Sequence, residues 1–186
     1  IHFDMKFRFS SKAIIIELLL LSCAAVFLFS GISKLLYINK LEWSIVEFLN
    51  CNYSYASIIA RIVIGLELIL GCLLFAHQYL KFTLLISQSL IILFSIYLLI
   101  EIYNYGNKGD CGCFGNAFSL SPLASLVKNI VMLLFLYWIT KSNNLNWSNA
   151  LASLALCMLC LAAPFISNPL HHTLKQRPIN LAPLST

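Results

Sequence analysis

The chain has 186 residues, of which 60% are hydrophobic and only 10% charged, and its mean hydropathy is +0.87. Those values exclude an ordinary soluble domain and point to a lipid bilayer. The formal net charge is +5, but the basic residues sit singly near the ends of apolar runs and form no stripe with interleaved aromatics, so nucleic acid is not an expected partner.

Apolar runs of helix-spanning length are predicted at 13–36, 57–76, 82–103, 123–140 and 151–167. Helices, not a barrel, are the expected form, so the fold class is an all-α membrane protein. Residues 1–12 are expected to be a short cytoplasmic segment. The first run is too long for the apolar core of a signal peptide and has no convincing small-residue cleavage site, so it is expected to be a true span. Between the first two spans, Leu41, Ile45, Phe48 and Leu49 share one helical face. That spacing predicts a short amphipathic helix over about 41–50, lying at the membrane interface. A tight connection at 77–81 joins the second and third spans. The loop 104–122 carries Gly106, Gly109, Gly112 and Gly115 and is the most irregular stretch of the chain. Ser121 and Pro122 then read as an N-cap and a first-turn proline opening the fourth span. Beyond the fifth, residues 168–186 hold three prolines and are predicted to be an extended tail.

Lysine and arginine on short loops orient such a protein. Lys6, Arg8 and Lys12 precede the first span, Lys81 lies between the second and third, and Lys141 follows the fourth. Alternating spans put all of these on one side, the expected cytoplasmic side, although Lys40, Lys108, Lys175 and Arg177 lie opposite. The amphipathic helix, the 104–122 loop and the tail then face the oxidising compartment.

The most chemically loaded segment is Asp110-Cys111-Gly112-Cys113-Phe114-Gly115. Two cysteines separated by one glycine can close a small disulfide ring, because Gly112 tolerates backbone angles that other residues resist. Ring strain favours the reduced form and makes such a disulfide a better oxidant than a staple, and a staple across so small a loop gains little. Lys108 is expected to favour thiolate at a neighbouring cysteine and Asp110 to oppose it. A structural pair or two free cysteines are the plain alternatives. Metal is a sharper one: Cys111 and Cys113 with His171 and His172 of the tail form a donor set suited to zinc or copper, though the spacing is not that of a known finger.

The Asp110–Gly115 motif, with Ser30-Gly-Ile-Ser-Lys34 ending the first span and Gly65-Leu-Glu67 and Gly71 in the second, resembles the MauE branch of the DoxX-like membrane proteins. The resemblance runs from about 14 to 140. It implies a DoxX-like four-helix transmembrane bundle over 13–140 in a bacterial inner membrane, extended here by a fifth C-terminal transmembrane helix at 151–167 and a periplasmic tail at 168–186. It also implies a role in disulfide handling outside the cytoplasm, beside a periplasmic thioredoxin-like protein, as in methylamine dehydrogenase maturation. The expected activity is thiol–disulfide exchange through Cys111 and Cys113, with a membrane quinone as a candidate cofactor. A non-enzymatic scaffold that docks an envelope protein is the alternative from a different class, and metal binding or transport is a third.

Ionisable groups inside a bilayer are costly, so Glu17, Lys34, Arg61, Glu67 and Lys128 each need a reason. Lys34 shares a helical face with Ser30, Phe27 and Cys23. Together with Lys128 and Arg61 it is expected to form a positive rim favouring thiolate near the cysteine loop, unless these long side chains simply anchor at the interface. Glu67, flanked by Gly65 and Gly71, is expected to face protein, either as a structural carboxylate paired to Arg61 or Lys34 or as a proton-handling group. A direct Arg61–Glu67 pair is disfavoured, because residues six apart on a helix point about 120° away from one another. Cys157-Met-Leu-Cys160 has the C-x-x-C spacing of thiol oxidoreductases and is a candidate electron relay, with core packing as its alternative. Cys23 and Cys72 read as packing residues, and Cys51 lies in the outward loop.

Overall fold

A computed structural model describes residues 11–106, 121–142 and 150–167. The Cys111/Cys113 segment, with Asp110, Gly112, Phe114 and Gly115, lies outside the described residues, as do His171, His172 and the rest of the tail.

Where lipid replaces water, each backbone N–H and C=O must be satisfied within its own segment, and long Leu/Ile/Phe runs therefore fold as helices. Six are described: α1 (Ser11–Leu36), α2 (Ile38–Leu49), α3 (Tyr53–Phe75), α4 (Leu80–Tyr105), α5 (Pro122–Ser142) and α6 (Ala150–Ser167). Four of them, α1, α3, α4 and α5, are long and apolar enough to cross a membrane. The shorter apolar α6 follows as a C-terminal addition.

Local chemistry sets the boundaries. Asn50, after α2, and His77 and Tyr79, in the turn before α4, adopt left-handed backbone angles, and asparagine tolerates that region better than most residues. The Asn52 side chain accepts a hydrogen bond from Ser54 N (3.4 Å) at the start of α3. Ser121 Oγ accepts from Ala124 N (3.3 Å), and Pro122 occupies the first turn of α5, as the sequence predicts. At the end of α4, Gly106 takes φ +71°, and its N–H donates to Ile102 O (2.9 Å).

α3 is the hub, with α1, α2 and α6 packed along it and α4 paired chiefly with α5. One apolar core joins α1, α3, α4 and α5 through Leu20, Phe27, Leu74, Leu84, Met132 and Leu136. A second, around Ile38, Ala60, Ile64, Leu68 and Cys160, seats α2 and α6 on α3. Outward-facing Leu18, Phe82, Leu93 and Leu134 are all more than 60% exposed, as a lipid-facing surface requires. Since lipid gives apolar side chains no reason to leave it, helix association rests on close packing and polar contacts. Glycines supply the first. A Cβ on Gly71 would lie 3.0 Å from the backbone nitrogen of Leu28 on α1, and one on Gly65 would lie 3.4 Å from Leu161 Cα on α6.

Candidate functional site

The polar contacts fall into two buried networks. In the first, Lys34 Nζ at the end of α1 reaches Glu67 Oε1 on α3 at 2.5 Å, with both side chains only 4% exposed. Lys34 also donates to Ser30 Oγ one turn earlier (2.7 Å) and lies 5.0 Å from the centre of the Phe94 ring of α4. The face predicted from spacing is observed, because Cys23, Phe27, Ser30 and Lys34 are all buried. Glu67 faces protein and pairs with Lys34. Its second oxygen, Oε2, has no hydrogen-bond partner among the described residues. Glu67 and Lys34 line a small cavity of about 30 Å³ together with Lys128, Asn129 and Met132 of α5, enough for a water molecule. Asn129 Nδ2 in turn donates to Ser95 Oγ on α4 (3.3 Å). Lys128 thus converges with Lys34, and all four long helices meet at this point.

The second network ties α2 to α3. Arg61 Nη1 lies 2.7 Å from Glu42 Oε1, with the two side chains 4% and 2% exposed. The same nitrogen donates to Ser57 O (2.8 Å) and to Ser57 Oγ. Ser57 Oγ donates to Glu42 Oε1 (2.8 Å), and Tyr53 OH donates to Glu42 Oε2. Tyr53 in turn stacks obliquely on Trp43 of α2, with ring centres 5.5 Å apart. Both oxygens of Glu42 and the Nη1 of Arg61 find partners, which is what a buried ion pair needs to offset the loss of hydration.

Arg61 therefore does not join Lys34 and Lys128, and neither Arg61 nor Lys34 presents a bare positive charge, since each is engaged by a carboxylate. Sequence reasoning missed Glu42, Ser57 and Tyr53. A signal was there: Ile38, Glu42, Ile45 and Leu49 are spaced as one face of α2, placing a carboxylate within an apolar stripe. The structure buries Ile38 and Glu42 most deeply on that helix and leaves Phe48 and Leu49 exposed. Of the face predicted from Leu41, Ile45, Phe48 and Leu49, Leu41 and Ile45 pack partly buried against the second apolar core, while Phe48 and Leu49 lie at its exposed edge.

Beside the first network, an apolar cleft of about 300 Å³ opens between α2, α3 and α4, with Phe48, Val63, Phe94 and Tyr97 among its walls and Lys34 at its edge. Phe48 meets Tyr97 edge to face at 5.0 Å. At the far end of the bundle, His77 Nε2 lies 2.9 Å from Glu17 Oε1, an ion pair when the ring is protonated.

Among the described residues, Cys23, Cys51, Cys72, Cys157 and Cys160 are free thiols. Cys23 is buried in the main core, consistent with a packing role. The close sulfur contact of Cys160 is with Cys72 of α3, at 3.6 Å, and not with Cys157 of its own helix.

A curated relative, Protein TlpB of Flavobacterium psychrophilum, is 32% identical over 92 residues, covering 46% of this chain and 24% of that protein. The match thus spans about a quarter of the relative's length. No solved structure matches the chain. The family described as methylamine utilisation protein MauE matches residues 12–142, a range that includes α1 to α5 and both buried networks, and the chain belongs to that family.

Proposed function

We propose that this protein is a thiol–disulfide exchange protein of a bacterial inner membrane, acting through Cys111 and Cys113 on a thioredoxin-like or other envelope protein. The observation that carries this reading is the Cys111-Gly112-Cys113 pair, in a glycine-flanked segment between two well-defined helix ends, Gly106 after α4 and Ser121 before α5. Membership of the MauE family and the four helices of membrane-spanning length support it.

In the forward sense, a partner thiolate attacks one sulfur of the Cys111–Cys113 disulfide and the other sulfur leaves as thiolate. The partner's second thiolate then resolves the mixed disulfide, so two electrons pass to the pair and the partner leaves oxidised. Run in reverse, the same steps reduce a client. The two ion-paired networks tie α1 and α2 to α3, a rigid frame that suits a protein that must present one segment to a large partner.

The test is trapping. In intact membranes quenched with acid and alkylated, Cys113→Ser should accumulate a slowly migrating species that collapses on reduction and contains a second protein. Cys111 and Cys113 remaining reduced under every redox condition, with no mixed disulfide in the variant, would overturn the reading.

A further inference from the structure

Cys72 lies one turn before the end of α3, and Cys160 lies near the middle of α6, 88 residues later in the chain. Their sulfurs face one another at 3.6 Å across the seam between the two helices. The seam is unusually close because Gly65 has no side chain: the backbone of Leu161 sits where a larger residue on α3 would press, and Cys160 packs with Ala60, Ile64 and Leu68. A disulfide needs a sulfur separation of about 2.0 Å, so the two sulfurs, already in contact, must approach further for the bond to close.

We propose that Cys72 and Cys160 form a reducible disulfide inside the membrane body, closed by a lipid-soluble quinone. In that step the two S–H bonds break and the Cys72 Sγ–Cys160 Sγ bond forms, and two electrons and two protons pass to the quinone, which leaves as quinol. The class of oxidant follows from the surroundings. No charged residue occurs anywhere in Ala150–Ser167. Cys72 is walled by Leu68, Ile69 and Leu73 in sequence, and the outer face of α6 carries Met158 and Leu159, 66% and 69% exposed toward lipid. The side chains around the seam are apolar, and a quinone dissolves in the phase that surrounds them.

The pair changes how the cysteines are grouped. Cys157-Met-Leu-Cys160 has the spacing of a redox motif, yet Cys160 is matched with a cysteine on another helix. Closing the bond would lock α6, which lies outside the family match at 12–142, onto the hub helix of the bundle. The inference rests on the α3–α6 seam and not on the Cys111/Cys113 loop.

The Cys111→Ser/Cys113→Ser variant tests it, since its five remaining cysteines are Cys23, Cys51, Cys72, Cys157 and Cys160. The protein in lipid nanodiscs is treated with a short-chain ubiquinone, quenched with acid, denatured and labelled with a mass-tagged maleimide. Five tags are expected before quinone, three after, and five again after dithiothreitol, with peptide mapping joining Cys72 to Cys160. The same chain with Cys160→Ala should carry four tags throughout. Five tags persisting after quinone, or a mapped bond involving Cys157, would overturn the proposal. Either result leaves the exchange reading for Cys111 and Cys113 standing or falling on its own trapping experiment.

Discussion

Glu42 is 1% exposed, and both of its oxygens are engaged, one by Arg61 and Ser57 and the other by Tyr53. Removing that carboxylate alone leaves a guanidinium deep in an apolar setting. The cost of breaking a buried pair on one side is about 3–5 kcal/mol, while replacing both partners by apolar residues of similar volume is often neutral. Glu42→Leu should therefore lower the midpoint of thermal unfolding in detergent markedly, and Glu42→Leu/Arg61→Met should recover most of the loss. A double variant no more stable than the single one would mean that the pair is not the source of the effect. At this scale the sequence was only half legible. Lys34 and Glu67 could be singled out because charges in apolar runs are conspicuous and each sits in a marked stretch of small residues. Glu42 escaped because it lies in a short amphipathic segment, where a carboxylate reads as solvent-facing until its partner, 19 residues further on, is seen to fold back against it.

Helices were the most legible elements, since the length of an apolar run nearly dictates a span; α3 begins at Tyr53, four residues before the run predicted from 57, because Asn52 caps it and the polar residues Tyr53 and Ser57 are absorbed into contacts with Glu42 of α2. How the helices approach one another was not legible, because it depends on which neighbour each glycine meets. Gly31 and Gly71 show the difference. A Cβ on Gly31 would press on Leu68 Cδ2 at 2.8 Å and Cγ at 3.0 Å, side-chain atoms only, whereas one on Gly71 meets Leu28 Cγ at 2.8 Å and the Leu28 backbone nitrogen at 3.0 Å. Alanine gains about 1 kcal/mol over glycine within a helix, and overpacking costs about 1–3 kcal/mol. Gly31→Ala should thus stay within about 1 kcal/mol of the parent, as Leu68 shifts and propensity offsets the strain. Gly71→Ala should be clearly destabilised, because backbone cannot move aside. Thermal unfolding followed by helical circular dichroism orders the two, and equal losses would show that Leu68 is as rigid as backbone.

Across the whole molecule, successive crossings fix which ends share a side. α1 ends where α2 packs and α3 begins, the turn at 76–79 lies at the other end, and α4 returns to finish at Gly106 beside the start of α5. The segment from Gly106 to Ser121 is therefore anchored at the same end as α2 and the Glu42–Arg61 network, while Lys12, Lys81 and Lys141 gather at the opposite end. Basic residues on short loops favour the cytoplasmic face, so the α2 end is expected to face the compartment in which disulfides persist. Single cysteines placed at exposed Asn104, near the α2 end, and at exposed Lys81, near the other, read this out directly. In a chain with Cys51, Cys111 and Cys113 replaced by serine, the remaining native thiols lie within apolar helices, beyond reach of an aqueous reagent. A membrane-impermeant maleimide added to intact spheroplasts should label Asn104→Cys at once and Lys81→Cys only after the membrane is opened. The reverse pattern would put the Cys111/Cys113 loop in the reducing cytoplasm, where a strained pair would stand open as two thiols and exchange with an envelope protein could not occur.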